Sequence, residues 1–253
     1  MERIKLFHDN FQNYKVYQLP KAQLIIADIP YRIGNNAYGS NPSWYIEGDN
    51  KKGESKLAKK SFFKTDDTFN ICEFMHFCTK MLKPEPNEIG KAPCIILFCS
   101  FEQQFKLIEL AKKYGFNNYI NLVFRKNFSA QVLKANMRIV GNCEYGLILY
   151  RNKLPKFNNN GNMIYNCIEM RRDTDIQKIH PTQKSIKTLE YLIEIFTDEN
   201  DVVIDPCAGS ASTLRACASL NRKAYGFEIE KKFYNDAIKK MLNSQQMKII
   251  IND

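Results

Sequence analysis

The sequence predicts an α/β fold: one domain built on a doubly wound, mostly parallel sheet. Three observations carry that prediction. Leu24-Ile25-Ile26-Ala27 is an unbroken apolar run of strand length, the pattern of a parallel strand buried on both faces. Val202-Val203-Ile204-Asp205 is a second apolar strand, followed by a small-residue turn, a helix-competent stretch and a further strand over 223–228. Between these two ends, strand-like and helix-like segments alternate, as layered α/β sheets require.

In chain order, residues 1–20 read as a short strand and a turn. The run from Leu24 ends on Asp28-Ile29-Pro30-Tyr31, which delivers a carboxylate, a rigid turn and an aromatic ring to the strand's carboxyl end, where open α/β sheets bind ligands. Periodicity then lapses over about 32–66. Gly34, Gly39, Pro42, Gly48 and Gly53 interrupt that stretch, and it carries Lys51, Lys52, Lys56, Lys59, Lys60 and Lys64 with Trp44 and Tyr45. A loop of this length is either functional or disordered, and one that a polyanion orders would be both.

A helix is expected over 68–83, with Phe69, Cys72, Met75 or His76, and Thr79 or Met81 on its apolar side, stopped by Lys83-Pro84-Glu85-Pro86. His76 within it reads as a packing residue. A buried strand follows over 93–99. Ser100 and Gln103 then stand at capping-box positions of a helix with Phe101, Phe105, Ile108 and Ala111 on one face and Gly115 closing it. Further strands are expected over 118–124 and 144–150. The interval 151–178 breaks the alternation with Asn158-Asn159-Asn160-Gly161 and a basic pair, Arg171-Arg172. A helix over 183–196 turns Ile186, Leu189, Ile193 and Phe196 inward. It leads to the strand ending at Asp205, and a helix over 231–242 follows Glu228. Ile249-Ile250-Ile251 reads as a last strand or a tail.

The bulk composition is consistent with this layout. A chain of 253 residues suits one large α/β domain with a sufficient core of its own. No apolar stretch approaches the roughly 20 residues of a membrane span, and residues 1–20 are too polar for a secretory signal. The net charge of +10 points to a polyanionic partner, with a merely solvated basic surface as the other reading. Eight cysteines form no C-x-x-C pair and only three histidines are present, so no metal site is expected. Thiols placed within apolar runs, such as Cys94 and Cys99, suit the reducing cytoplasm.

The turn over Asp205, Pro206, Cys207, Ala208, Gly209 and Ser210 lets a ligand approach the backbone, and Glu228 at the next strand end can accept from ribose hydroxyls. A dinucleotide fingerprint is absent, which argues against a nicotinamide oxidoreductase and for a nucleoside cofactor without pyrophosphate. Asp28-Ile29-Pro30-Tyr31 resembles the D-P-P-Y motif of amino-methylating DNA methyltransferases. Asp205 to Ser212 resembles their cofactor loop, D-P-F-x-G-S-G-T, and His180-Pro181-Thr182-Gln183-Lys184 resembles their H-P-T-Q-K-P segment. The order, catalytic motif first, is that of the circularly permuted beta group. Ile29, Ala211 with Ser212, and Ser185 depart from the family pattern without removing a needed functional group.

The resemblance implies a Rossmann-like methyltransferase fold, S-adenosylmethionine as cofactor, and DNA, duplex by expectation, as substrate. It implies catalytic roles for Asp28, Ile29, Pro30 and Tyr31. It places Asp28, Asp205 to Ser210, Glu228 with Ile229, Thr182 and Lys184 around the cofactor. Asp9, in His8-Asp9 where the family has Gly-Asp, is a candidate adenine contact or else a surface acid. Lys51, Lys52, Lys56, Lys59, Lys60, Arg171 and Arg172 are candidate DNA contacts, the arginines in a short target-recognition insert at about 151–178. Arg125, Lys126, Lys134 and Arg138 are weaker phosphate candidates. In this family a serine commonly replaces the motif's acid for cytosine, so Asp28 favours adenine N6. Cytosine N4 methylation and an inactive DNA-binding relative stay open, as do a homodimer and a companion restriction endonuclease.

Overall fold

The computed structural model describes residues 3–31, 69–127, 131–134 and 139–243. The predicted basic loop with Trp44, Tyr45 and Lys51, Lys52, Lys56, Lys59 and Lys60 lies outside the described residues, as do Arg138 and Ile249 to Ile251. The elements run β1 (Ile4–Phe7), a 3-10 helix (Phe11–Tyr17), β2 (Leu24–Asp28), α1 (Ile71–Met81), β3 (Cys94–Cys99), α2 (Phe101–Lys113) and β4 (Asn118–Lys126). A small ribbon of β5 (Gln131–Lys134) and β6 (Ile139–Gly141) comes next, then β7 (Cys143–Tyr150) and β8 (Cys167–Met170). The last part is α3 (Ile186–Phe196), β9 (Val202–Asp205), α4 (Ser212–Ser219), β10 (Lys223–Phe227) and α5 (Lys231–Asp236), which passes into a π-helical turn, Ala237–Met241.

Eight strands form one sheet in the order β1-β10-β9-β2-β3-β7-β4-β8, and only β7 runs against the rest. Strand side chains alternate between faces, so β2 and β3 feed two cores. Leu24, Ile26, Cys94, Ile96 and Phe98 pack with α3 and α4 on one side. Ile25, Ala27, Ile95, Leu97 and Cys99 pack with α1, α2 and the aromatic 3-10 helix on the other. This is the doubly wound arrangement the apolar runs predict. No helix among the described residues is long and apolar enough to cross a membrane.

The helix boundaries follow their caps. Asn70 accepts from the Cys72 N–H at 2.9 Å, so α1 starts later than expected. Its buried side is Ile71, Phe74, Met75, Phe77, Cys78 and Met81, while Cys72 and His76 face solvent. The helix has turned to bury its phenylalanines, which remove far more apolar area from water than Cys72 or Thr79 could. The Ser100–Gln103 capping box forms as predicted, but it sets a different rotation for α2. Gln104, Leu107 and Ala111 point inward, while Phe101 and Phe105 are 55% and 66% exposed. The expected face of α3 is buried as read, with Leu192 and Ile195 added.

Part of the interval 151–178 is framework. β8 pairs in parallel with β4. The Asp173 carboxylate accepts from the Ile186 N–H at 2.8 Å at the start of α3. Asn158 donates to the Thr197 carbonyl at 2.9 Å beyond the end of the same helix. Lys156 is buried against Asp198 and Asp201.

Gly146 in β7 crosses the sheet where space is shortest. A Cβ there would sit 2.7 Å from the Leu97 carbonyl oxygen and 3.1 Å from the Phe124 ring. Backbone cannot yield as a side-chain tip can, so Gly146→Ala is expected to destabilise the fold by about 1–3 kcal/mol. Urea unfolding of the two proteins checks this, and an unchanged midpoint would contradict the packing described.

Candidate active site

The site begins where two strands part. β2 pairs with β9 only at Leu24–Val203 and Ile25–Ile204, whereas its pairing with β3 continues to Asp28–Phe98. The crossover after β2 leads to β3 on one side, and that after β9 leads to β10 on the other. The crevice between β2 and β9 is therefore the topological switch point, and open α/β sheets bind ligands at the carboxyl edge of that crevice. Asp28 ends one wall and Asp205 the other.

On the β2 side, the Ile29 N–H donates to the Phe98 carbonyl at 3.3 Å. A proline at that position, as in the motif Ile29 departs from, would lack this donor. The Pro30 carbonyl accepts from the Gln103 side chain at 2.7 Å, while Gln103 also accepts from the Ser100 N–H at 2.9 Å. The capping box of α2 thus clamps the turn that presents Asp28 and Tyr31.

Lys184 reaches Asp28 from the segment before α3. Its ammonium lies 2.9 Å from Asp28 Oδ2 and 3.0 Å from Glu144 Oε2, and it donates to the Tyr31 hydroxyl at 3.2 Å. Glu144 also pairs with Lys126. Burial raises the Asp28 carboxyl above its usual range, and Lys184 pulls against that rise. Burial also raises the Tyr31 phenol, with Asp28 adding to it. The Lys184 ammonium stands 5.3 Å from the centre of the Tyr31 ring, so one ring face is covered. Asp28 Oδ1 is buried without a hydrogen-bond partner among the described residues.

The β9 side is a turn held from within. Asp205 accepts from the Cys207 N–H at 3.0 Å. Glu228, just past β10, accepts from the Gly209 N–H at 2.9 Å and the Glu230 N–H at 2.7 Å. Gly209 and Ala211 both take left-handed backbone, φ +51° and +60°. The alanine sits where the family has a glycine and bears the strain that costs an L-residue. Burial lifts the carboxyls of Asp205 and Glu228 to about 7 each. Burial, with Asp205, Glu228 and Asp28 nearby, also raises the Cys207 thiol, which leaves it protonated.

The His180 ring faces Gly209, where a Cβ would come 3.5 Å from it, and packs edge-on against Phe233 with centroids 4.2 Å apart. Burial drops its pKa to about 4, so it is neutral at physiological pH. S-adenosylmethionine fits this cradle. Buried carboxylates raised by want of a counter-charge suit a sulfonium and an ammonium, and the glycine turn leaves room for close approach.

Other predicted residues are more dispersed. Ile229 is 43% exposed beside Glu228, and Thr182 is exposed next to His180. Asp9 is at the same sheet edge, but its carboxylate already accepts from the Asn10 N–H, the Asn13 amide and the Tyr17 hydroxyl, each at 2.7 Å. Arg171 and Arg172 follow the end of β8, on the catalytic edge but four strands from β2, roughly 19 Å at ordinary strand spacing. Arg171 is exposed and pairs with Glu169. Arg125 is exposed, but Lys126 is buried on Glu144 and so is not the surface phosphate contact expected of it.

Glu144 and Gln103 are the residues sequence reading missed at this site. Glu144 opens a strand and has no sequence neighbour in the motifs. Gln103 was read as a cap, which accounts for only its carbonyl end.

Comparison with known proteins shows the family and the fold. Type II methyltransferase M.HindIII of Haemophilus influenzae is 34% identical over 76 residues, 30% of this chain and 25% of the relative. The chain thus spans less than two thirds of some curated relatives it matches. DNA adenine methyltransferase YhdJ of Escherichia coli K12 is 24% identical over 269 residues, covering 92% of this chain and 80% of that one. The solved PvuII DNA methyltransferase (cytosine-N4-specific) superposes with a TM-score of 0.67 at 14% identity, covering 98% and 90% of the two chains, which shows a shared fold. The family model for the N6/N4 methyltransferases, described as DNA methylase, matches residues 22–240, and the chain belongs to that DNA methylase family.

Proposed function

We propose that this protein transfers a methyl group from S-adenosylmethionine to the exocyclic N6 amino group of adenine in duplex DNA, on a base turned out of the helix. The observation that carries the reading is the Asp28–Tyr31 turn on one wall of the switch-point crevice, with an Asp28 oxygen that has no hydrogen-bond partner among the described residues, facing a glycine turn ringed by buried carboxylates. Asp28, where the resemblance associates serine with cytosine, favours adenine. The long match to YhdJ, named for adenine, supports the same choice.

The adenine amino group is a poor nucleophile because its lone pair is delocalised into the ring. Acceptors aimed at its two hydrogens favour the localised lone pair, and they strengthen as positive charge develops on nitrogen. The Asp28 carboxylate would take one hydrogen and the Ile29 carbonyl the other. Lys184 favours the ionised form of Asp28 and pulls against the rise that burial imposes. The Tyr31 ring would stack on the base, offsetting part of the cost of removing it from the duplex. S-adenosylmethionine supplies a methyl group made electrophilic by its sulfonium. Asp205 would meet its ammonium, Glu228 its ribose and Ile229 its adenine, with His180 closing the cradle over Gly209. Arg171 and Arg172, at the far end of the same edge, would contact the duplex flanking the site. The type II naming of M.HindIII makes a companion endonuclease the partner to look for.

Incubation with duplex DNA and methyl-labelled S-adenosylmethionine, followed by digestion to nucleosides, is expected to yield labelled N6-methyl-2′-deoxyadenosine. Label on N4-methylcytosine would move the target to cytosine, and no label at all would refute turnover.

Asp28→Ala should abolish transfer, a loss of about 1000-fold or more, while cofactor affinity stays near the wild-type value. A fully active variant would contradict the role given to Asp28.

Asp205 and Glu228 also make cofactor affinity depend on pH. Their folded pKa values of about 7 lie above the unfolded ones. The unfolded chain therefore ionises first, and fold stability falls as pH climbs from about 4 to about 7. Over the upper part of that range the carboxylates gain the charge a cationic ligand needs. Calorimetric titration is expected to show about 10-fold tighter S-adenosylmethionine binding near pH 8 than near pH 6. Affinity flat across that range would remove these acids from the cofactor's surroundings.

A further inference from the structure

Behind the catalytic turn, four charges of alternating sign stand in a row, the two lysines buried and the two acids partly so. Asp28 ends β2, Lys184 precedes α3, Glu144 opens β7 and Lys126 closes β4. The contacts run Asp28 Oδ2 to Lys184 at 2.9 Å, Lys184 to Glu144 Oε2 at 3.0 Å, and Glu144 Oε1 to Lys126. Both lysine side chains are 8% exposed and Glu144 is 16% exposed. The rings of Phe98 and Tyr31 stand 5.0 and 5.3 Å from the Lys184 ammonium and help keep water from it. The reversed direction of β7 is what makes the row. It brings the start of that strand, rather than its end, to the carboxyl edge of the sheet, beside the tips of β3 and β4.

We propose that Glu144 is a positioning residue for methyl transfer: it shares the Lys184 ammonium with Asp28, so that Lys184 fixes the catalytic carboxylate without fully neutralising it. This rests on the reading of Asp28 as the amino-group acceptor given above. A lysine bound to Asp28 alone would hold the carboxylate equally still, but would draw its electron density into one ion pair. A second carboxylate on the far side of the ammonium weakens that hold. Lys126 in turn balances Glu144, which would otherwise leave the row with a net negative charge in a dry interior.

The groups facing Asp28 are Lys184, Glu144, Tyr31, Cys99, Asp205 and Cys207. Tyr31, Cys99 and Cys207 are protonated near neutrality, since burial raises all three, Cys99 to about 12. Among the described residues, Lys184, Glu144 and the titrating Asp205 are then the charges that act directly on Asp28, and Lys126 acts through Glu144. Glu144 pushes the Asp28 carboxyl upward and Lys184 pulls it down. Removing the Glu144 charge while keeping its shape must therefore lower the pH at which Asp28 ionises. Removing Lys126 strengthens the claim of Glu144 on Lys184 and must raise it.

The test is a carbon-13 NMR titration of the Asp28 carboxylate, assigned with Asp28→Asn, in the wild type, Glu144→Gln and Lys126→Met. Single-turnover methyl transfer to duplex DNA is followed alongside, across pH. The expected result is a lower Asp28 midpoint in Glu144→Gln and a higher one in Lys126→Met. Transfer by Glu144→Gln is expected to slow about 10-fold, with unchanged cofactor affinity and an acid limb moved to lower pH. Slower transfer with an unmoved Asp28 midpoint would mean that Glu144 only supports the fold, and would overturn the proposal. So would midpoints that move the same way in both variants. Because the NMR titration needs no turnover, it decides the matter even if the wild type methylates nothing, an outcome that would refute the adenine reading separately.

Discussion

The early end of the pairing between β2 and β9 is the constraint on which the site depends. Two residues of each strand are in register, Leu24 with Val203 and Ile25 with Ile204, and then β2 continues with β3 alone. Backbone groups beyond that point no longer bond across the gap, so the strand tips separate into a crevice. Pairing continued to Asp28 would close the place where the two motifs face each other. The apolar residues on both sides make the separation affordable: Ile26 and Phe98 fill one face, Ile25 and Leu97 the other. The sheet is paired where it holds the tips and open only beyond them.

The two walls of the crevice handle charge differently. The β9 wall concentrates carboxyl groups with little to balance them, so burial lifts Asp205 and Glu228 to about 7, and a cationic ligand has something to gain by arriving. The β2 wall is internally balanced. Asp28, Lys184, Glu144 and Lys126 alternate in sign, and loss of one member leaves a buried charge uncompensated, commonly about 3–5 kcal/mol. A wall that needs a ligand and a wall that does not are what a two-substrate transfer calls for. On the proposed reading, one half stays fixed to act on the amino group, and the other receives a donor that binds and leaves.

Mechanical support comes from places that look merely structural. Gln103 completes the helix cap at Ser100 and, with its other end, holds the Pro30 carbonyl. Glu228, just past the end of β10, ties down the Gly209 and Glu230 N–H groups. Asp173 and Asn158, in the interval expected to serve target recognition, secure the two ends of α3, whose approach carries Lys184. That leaves Arg171 and Arg172, beyond β8, as the described residues of the interval best placed to reach a duplex.

Much of the fold was legible in the chain because burial on both faces leaves an unbroken apolar run, and helix caps leave a polar residue at a fixed offset. Strands at Leu24, Cys94 and Val202, the Ser100–Gln103 box and the inward face of α3 were all readable for that reason. The motif residues Asp28 and Asp205 were readable because each lies at the end of such a run, and the ends of parallel strands share one edge. The rotation of α1 and α2 was not, since it depends on which neighbours offer the deeper burial, and Phe101 and Phe105 lost that contest to Gln104 and Leu107. Nor could the chain reveal Glu144 at the active site or Lys126 as its partner. Both sit on strands whose order and direction are tertiary facts, and a charged residue's role depends on the opposite charge that folding sets beside it.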